Sequence, residues 1–476
     1  MNDACCPSTE ENGQYDLAVI GSGSAGFSAA ITAAEQGARV ALIGHGTIGG
    51  TCVNVGCVPS KNLIRAAETL HQAKAASRFD GIQGEVRIED WRAVIAQKDE
   101  LVSSLRQAKY ADLLPAYDNV TYLEGSARLI EGGVEVDGQT ISAGKVIVAT
   151  GTHSSVPSIP GMKEVPYLTS TTAFELEELP DSLLVIGGGY IGAEIAQMFA
   201  RVGVNVTIVF RSRLLPETEP EISKALTGYF REEGMTVLGG LAYKDIKSIS
   251  NGVALRVELN GEEQTIEADK VLIATGRRPN TDDMGLEESG IELLPNHGIK
   301  IDDRMRTTKK GVYAAGDVTG RDQFVYMAAY GAKLAALNAL NGDNQRYDAT
   351  AMPAVTFTDP QVAGVGLTES QAQKQGLEVR TSVLPLEHVP RALAAKDTRG
   401  LIKLVADGKT DRLLGAHILA PEGADSIQTA ALAIKHGLTV ADLAEMIFPY
   451  LTTVEGLKLA AQTFDKDVSK LSCCAG

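Results

Sequence analysis

Basic residues are the minority charge in this chain of 476, with 44 lysines and arginines against 60 acids and a formal charge of −16. Nucleic acids and anionic lipid surfaces are bound through basic patches that displace counterions, so neither is expected as a partner. Long apolar runs are also missing, since no stretch approaches the roughly 18 residues of a membrane span. The opening segment, MNDACCPSTEENGQ, has neither a basic region nor an apolar core and does not read as a secretory leader. The expected compartment is therefore the reducing cytoplasm. There the six cysteines are better read as catalytic or metal-binding groups than as structural bridges. They fall into three pairs: Cys5 with Cys6, Cys52 with Cys57, and Cys473 with Cys474. Length is not scarce, because about 150 residues per domain allows roughly three domains with cores of their own.

An apolar run at 15–20, a glycine turn, an alanine-rich helical stretch and a second strand at 39–43 make a βαβ unit. A second copy follows, with strands near 182–186 and 204–210 around a helix opening at about Tyr190. Two near-identical strand-and-turn segments, KVIVATG (145–151) and KVLIATG (270–276), each close one unit. The predicted fold class is α/β, with two Rossmann-like dinucleotide domains and a C-terminal α+β domain. The expected division is a first nucleotide domain at 1–150 resumed at 277–350, a second inserted at 151–276, and a third at 351–476.

Gly21, Gly23 and Gly26 form G-x-G-x-x-G between strand and helix. The first permits the tight turn, the second lets a pyrophosphate reach the backbone, and the third lets the helix pack on the strand. The acid that should end the second strand and bind ribose hydroxyls is missing: ALIGHG places Gly44 there, leaving backbone amides at Gly46 and its neighbours as a substitute. Gly187, Gly189 and Gly192 repeat the motif. Their second strand runs into Arg211 and Arg213, whose guanidinium groups favour a 2′-phosphate and hence NADPH over NADH. Cys52 and Cys57 lie in GGTCVNVGCVPSK, at a spacing that closes a small ring able to open and shut as a disulfide. A structural zinc site would need two more ligands nearby, and none follows.

These segments, with GGGYIGAE, ATGRRPN and GVYAAGDV in the same order, resemble the pyridine nucleotide disulfide oxidoreductases, the family of glutathione reductase and dihydrolipoamide dehydrogenase, over essentially the whole chain. The resemblance implies FAD in the first domain, with Gly46, Thr51, Lys61, Ala127, Asp317 and Val325 near it. It makes Cys57 the thiolate against the flavin and Cys52 the one facing substrate. It also implies a Lys61–Glu194 ion pair beside the flavin and makes Tyr190 the lid that NADPH displaces. Asp317 is placed to accept from a ribityl hydroxyl, and a helix beginning near Phe324 would turn its positive end to the reduced ring.

Disulfide-reducing members of the family carry H-P-T-x-x-E, whose histidine protonates the departing thiolate. This chain reads YLTTVE, with Tyr450 in place of the histidine and Glu455 kept, and a phenol of pKa about 10 is a poor acid at neutral pH. The terminal KLSCCAG supplies adjacent cysteines, which suit a thiophilic ion better than a strained disulfide. Together with FPYLTTVEGLKLAAQTFDKDV, this tail is similar to that of the family members that reduce Hg(II). The likeness implies a homodimer with shared active sites, in which Cys473 and Cys474 of one subunit hand Hg(II) to Cys52 and Cys57 of the other, past Tyr110 and Tyr450. The GMTCxxC motif of many such reductases is not in the sequence. Cys5 and Cys6 are either a reduced substitute for it or a stretch without a role. Two alternatives stay open: a dihydrolipoamide dehydrogenase or other disulfide reductase of the same family, and a protein that sequesters metal on its thiols without reducing it.

Overall fold

The computed structural model describes residues 14–468, so Cys5, Cys6, Cys473 and Cys474 lie outside the described residues. Two compact units account for the rest. The first gathers the residues up to Pro59, Asp99–His153 and Arg277–Tyr347, and the second gathers Ser60–Lys98, Ser154–Gly276 and the residues from Asp348 onward.

The first unit is a seven-stranded sheet flanked by helices. Its parallel core runs Val120–Glu124, Val40–Gly44, Tyr15–Ile20 and Gln139–Val148, with Val312–Ala314 also parallel to the last and an antiparallel pair, Gly133–Val136 and Ala127–Ile130, extending the edge. Tyr15–Ile20 and Val40–Gly44 are the expected strands, and their continuous apolar runs fit burial on both faces. The helices Ser24–Glu35 and Val325–Asn341 share one core through Ala29, Ala30 and Ala33 on the first and Ala332, Ala335 and Ala336 on the second. Alanine at those contacts lets two helix backbones come close, which is why both segments read as alanine-rich.

In the second unit, a parallel sheet of order Thr236–Gly239, Asn205–Phe210, Ser182–Ile186 and Lys270–Ile273 carries the repeated βαβ motif with its helix Tyr190–Arg201. A three-stranded antiparallel sheet, Ala242–Ile249, Gly252–Leu259 and Glu262–Ala268, follows it in the chain. The C-terminal part is a five-stranded antiparallel sheet of order Pro353–Thr356, Gln361–Gly366, Leu413–Ala420, Leu401–Asp407 and Val379–Pro385, with helices Gly423–Lys435 and Glu455–Gln462 packed in the same core. No helix of the described residues is long and apolar enough to cross a membrane.

Candidate active site

The two glycine turns are built alike. Gly21 has φ +123°, and a Cβ there would fall 2.2 Å from the carbonyl oxygen of Ala149; Gly187 has φ +126° and would meet the Ala274 oxygen at the same 2.2 Å. Only glycine takes that backbone at low cost. The last glycine of each motif, Gly26 or Gly192, would drive a Cβ to 1.7 or 2.1 Å from the oxygen of its own Gly21 or Gly187. Gly23 and Gly189 precede the helices Ser24–Glu35 and Tyr190–Arg201, so each turn offers helix N-terminal amides to an anion. The first turn therefore fits a dinucleotide pyrophosphate by shape and by donors.

The cysteine loop is packed onto that first turn. Gly49 N–H donates to the Ser22 carbonyl at 2.9 Å, and a Cβ on Gly50 would fall 2.6 Å from the Gly23 Cα. Thr51 and Cys52 lie in the helix Gly50–Asn54, and Cys57 opens the helix Cys57–Lys74. Both are half-buried thiols. Gly56 lets the segment between them fold tightly, since a Cβ there would reach the Thr51 oxygen at 2.9 Å and the Cys52 Cα at 3.2 Å. Asn54, which sequence reasoning passed over, braces the loop by donating to the Ile48 and Gly50 carbonyls at 2.9 Å each, while Arg106 donates to its side-chain oxygen at 3.2 Å. Among the described residues no group of three or more His, Cys, Asp and Glu is arranged to hold a metal ion. The dithiol thus offers two soft ligands, the number that Hg(II) takes in a linear complex.

Tyr110 stands beside the thiols, on a π-helical turn at Gln107–Ala111. Its ring meets Phe27 edge-to-face at 4.8 Å, and its hydroxyl shares a 3.1 Å hydrogen bond with Ser24. Burial pushes its phenol up, the Ser24 bond pulls it down, and both thiols push it up again, leaving it above the ordinary value. It is a neutral hydroxyl at physiological pH.

Asp317 follows the strand Val312–Ala314. Thr152 donates to its carboxylate at 3.1 Å and accepts from Arg277 Nε at 2.7 Å, and Arg277 also reaches the Thr152 carbonyl at 2.7 Å. Burial raises the Asp317 carboxyl above its usual range despite Arg277 and Thr152. Arg277 sits in the ATGRRPN segment, yet nothing in the sequence pointed to this relay. Ala127 opens an edge strand, Val325 opens the helix Val325–Asn341, and Gly46 is exposed.

In the second unit Lys61 and Glu194 pair as expected, at 2.7 Å, with Glu194 buried. The other oxygen of Glu194 accepts from the Phe357 backbone at 2.8 Å, and the Lys61 ammonium lies 4.9 Å from the Phe357 ring centroid. A buried carboxylate held by a cation and an amide is one whose desolvation is offset. Tyr190 opens its helix, half-buried. The two arginines after the second strand differ. Arg211 is exposed, whereas Arg213 turns back to donate to the Pro216 and Thr218 carbonyls at 2.6 Å each. Arg213 thus braces its own turn through Nη2, its Nη1 being buried without a hydrogen-bond partner among the described residues, while the Arg211 guanidinium is open to solvent.

Glu455 is buried, and its carboxylate accepts from the Leu451 backbone at 3.1 Å; burial raises it above the usual range. Tyr450, five residues before it, is 51% exposed.

The family model described as pyridine nucleotide-disulphide oxidoreductase matches residues 15–335, and that of the family's dimerisation domain matches residues 352–461. A mercuric reductase of Bacillus cereus is 49% identical over 469 residues, covering 98% of this chain and 74% of its own length. That of Streptomyces lividans is 48% identical over 471 residues, covering 97% of this chain and 98% of its own. Among solved structures, the Cu(II) complex of the HOCl-induced flavoprotein disulfide reductase RclA from Escherichia coli superimposes with a TM-score of 0.83 at 31% identity, over 95% of this chain and 99% of that one.

Proposed function

This chain belongs to the pyridine nucleotide-disulphide oxidoreductase family, and we propose that within it the chain is a mercuric reductase, reducing Hg(II) to Hg(0) at the expense of NADPH. The observation that carries the reading past the family is that, among the described residues, no histidine accompanies Glu455. Its carboxylate is spent on the Leu451 amide, and Tyr450 occupies the place of a histidine. A disulfide reductase needs a proton for the thiolate it expels. Release of a metal atom from two thiolates needs none.

When bound, NADPH and FAD supply the chemistry of electron delivery, so that NADPH and Hg(II) give NADP+, a proton and Hg(0). The chain's own groups do the rest. Cys52 and Cys57 hold the ion as two thiolates, and Cys52 receives it from outside by ligand exchange. Tyr110, a neutral hydroxyl pinned by Ser24 and Phe27, borders the pair without competing as an anion. FAD is assigned to residues 1–150 with 277–350, NADPH to 151–276 and dimer formation to 351–476. Arg211 serves as the phosphate-selecting cation. The exposed apolar residues Met446, Ile447, Tyr450 and Leu451 form a patch suited to cover by a second copy. In that dimer, Cys473 and Cys474 pass Hg(II) to the neighbouring subunit's inner pair. We place the enzyme in the cytoplasm, where NADPH is available and thiols stay reduced.

NADPH consumption measured with Hg(II), oxidised glutathione and oxidised lipoamide tests this directly. Turnover with Hg(II) alone is expected. Cys52→Ala and Cys57→Ala should each abolish that turnover while the protein stays yellow. Turnover with either disulfide and none with Hg(II) overturns the reading, and Hg(II) binding without NADPH oxidation would make the chain a sequestering protein.

A further inference from the structure

The strand Val40–Gly44 ends where a dinucleotide fold ordinarily carries an acid for the adenosine ribose, and the backbone does not explain its absence. Gly44 lies outside the left-handed region, so its φ would accept a side chain. The obstacle is occupancy. A Cβ on Gly44 would fall 2.5 Å from the Tyr122 hydroxyl, 2.6 Å from the Ser22 hydroxyl and 2.7 Å from the Ser22 Cβ. Two hydroxyl groups thus converge on the volume that the side chain of an acid would enter.

Each arrives there by its own element. Ser22 lies within the glycine turn, between Gly21 and Gly23, so its position is fixed by the pyrophosphate cradle itself. Tyr122 stands on Val120–Glu124, parallel to Val40–Gly44 and in register with Leu42, two residues before Gly44. Its ring packs partly buried against the core that holds Leu42, which leaves the hydroxyl at the strand ends. Neither hydroxyl has a hydrogen-bond partner among the described residues, and neither is sealed from solvent. A tyrosine so packed, with its only polar atom uncommitted, offers a donor and an acceptor at the C-terminal edge of the sheet, where open α/β folds bind ligands.

We propose that Tyr122 and Ser22 together replace the missing acid and bind the adenosine ribose hydroxyls of FAD. The inference rests on the assignment of FAD to the first fold. A carboxylate would only accept from the 2′ and 3′ hydroxyls, whereas these two side chains can each donate or accept, so recognition there is neutral rather than charged. Glu124, opposite Gly44 in the strand register, is a carboxylate in line to do the same work, and it is the rival to be eliminated.

The test reloads flavin-free full-length protein with FAD, with FAD lacking the adenosine 2′-hydroxyl and with FAD lacking the adenosine 3′-hydroxyl, reading affinity by quenching of flavin fluorescence. Tyr122→Phe and Ser22→Ala should each weaken FAD by roughly three- to tenfold, the worth of one neutral hydrogen bond. The same variants should lose nothing further with whichever deoxy analogue lacks the partner hydroxyl. Glu124→Gln should change none of the three affinities. Equal losses with FAD and with both analogues, no loss at all, or coupling of Glu124 instead would overturn the proposal while leaving FAD binding intact. Failure of the unaltered chain to bind FAD would overturn the assignment beneath it as well.

Discussion

Side by side, the first and second glycine turns differ by 3° in φ, +123° against +126°, and place their forbidden Cβ at the same 2.2 Å from a carbonyl oxygen. The strand ends that follow share nothing. The first closes on Gly44 under the hydroxyls of Ser22 and Tyr122. The second closes on Phe210, whose ring covers Gly188 so closely that a Cβ there would meet it at 2.7 Å, and leaves Arg211 exposed. A turn that wraps a pyrophosphate has one backbone solution, so it recurs whenever the ligand does. A strand end meets the part of the ligand that varies, and any neighbouring element with a suitable group can serve.

The largest effects should come from breaking one turn and sparing the other. Gly26→Ala would push a Cβ into the Gly21 carbonyl, a strain of about 1–3 kcal/mol or more, and the variant should purify without flavin. Gly192→Ala should stay yellow while its KM for NADPH rises tenfold or more in steady-state assays. If Gly192→Ala also lost flavin, the two turns would not be independent sites.

Arg211 and Arg213 sharpen the contrast at the strand ends. Arg211→Glu should lower kcat/KM for NADPH roughly tenfold to a hundredfold relative to NADH, as expected for loss of a charge-assisted bond to phosphate. Arg213→Ala releases the Pro216 and Thr218 carbonyls and should weaken both cofactors alike. An altered NADPH-to-NADH ratio in Arg213→Ala would return it to the phosphate site.

The smallest effect concerns the helix Pro220–Glu232 that follows this turn. Lys403, buried, donates to Glu219 at 3.0 Å, Glu221 at 2.9 Å and Glu369 at 2.7 Å. Burial raises the Glu221 carboxyl, but the hydrogen bond and charge of Lys403 more than reverse this, so it stands below its usual value. A carboxyl lowered by folding stabilises above its unfolded pKa, about 4.3, and that contribution is lost as pH falls through the lower folded value. Because Glu221 is 40% exposed, Glu221→Gln should cost only about 1 kcal/mol or less at pH 7. Urea denaturation should show the gap to the native chain constant from pH 7 to about pH 5.5 and narrowing as pH falls below about 5 towards the lower folded value.

Both βαβ units, the cysteine loop and the Lys61–Glu194 pair were legible because each is written in consecutive residues or in a familiar motif. What stayed hidden depends on contacts made at long range. Nothing near Asp317 in the chain announces that Thr152, itself held by Arg277, will donate to its carboxylate. The gap at Gly44 was visible as a missing acid, but its filling by a tyrosine nearly 80 residues on needed the strand register. Arg211 and Arg213 looked equivalent because a sequence cannot say which guanidinium bends back on its own turn. The antiparallel strands at 242–268 and the first two strands of the C-terminal sheet were likewise not anticipated, being short and marked by no motif.

The helix Tyr190–Arg201 begins at the second glycine turn and, along the same axis, grips another stretch of backbone. Glu194 takes the Phe357 amide, and Gln197 both donates to the Asp359 carbonyl at 2.7 Å and accepts from the Asp359 amide at 2.8 Å, as a neighbouring strand would. The segment leading into the C-terminal sheet is therefore tailored to this helix. For anyone recombining modules, the seam cannot be cut at residue 351 as though the pieces were interchangeable. A foreign nucleotide module lacking that glutamate and glutamine would leave the Phe357 and Asp359 amides without their acceptors, and a graft should carry both sides of the joint together.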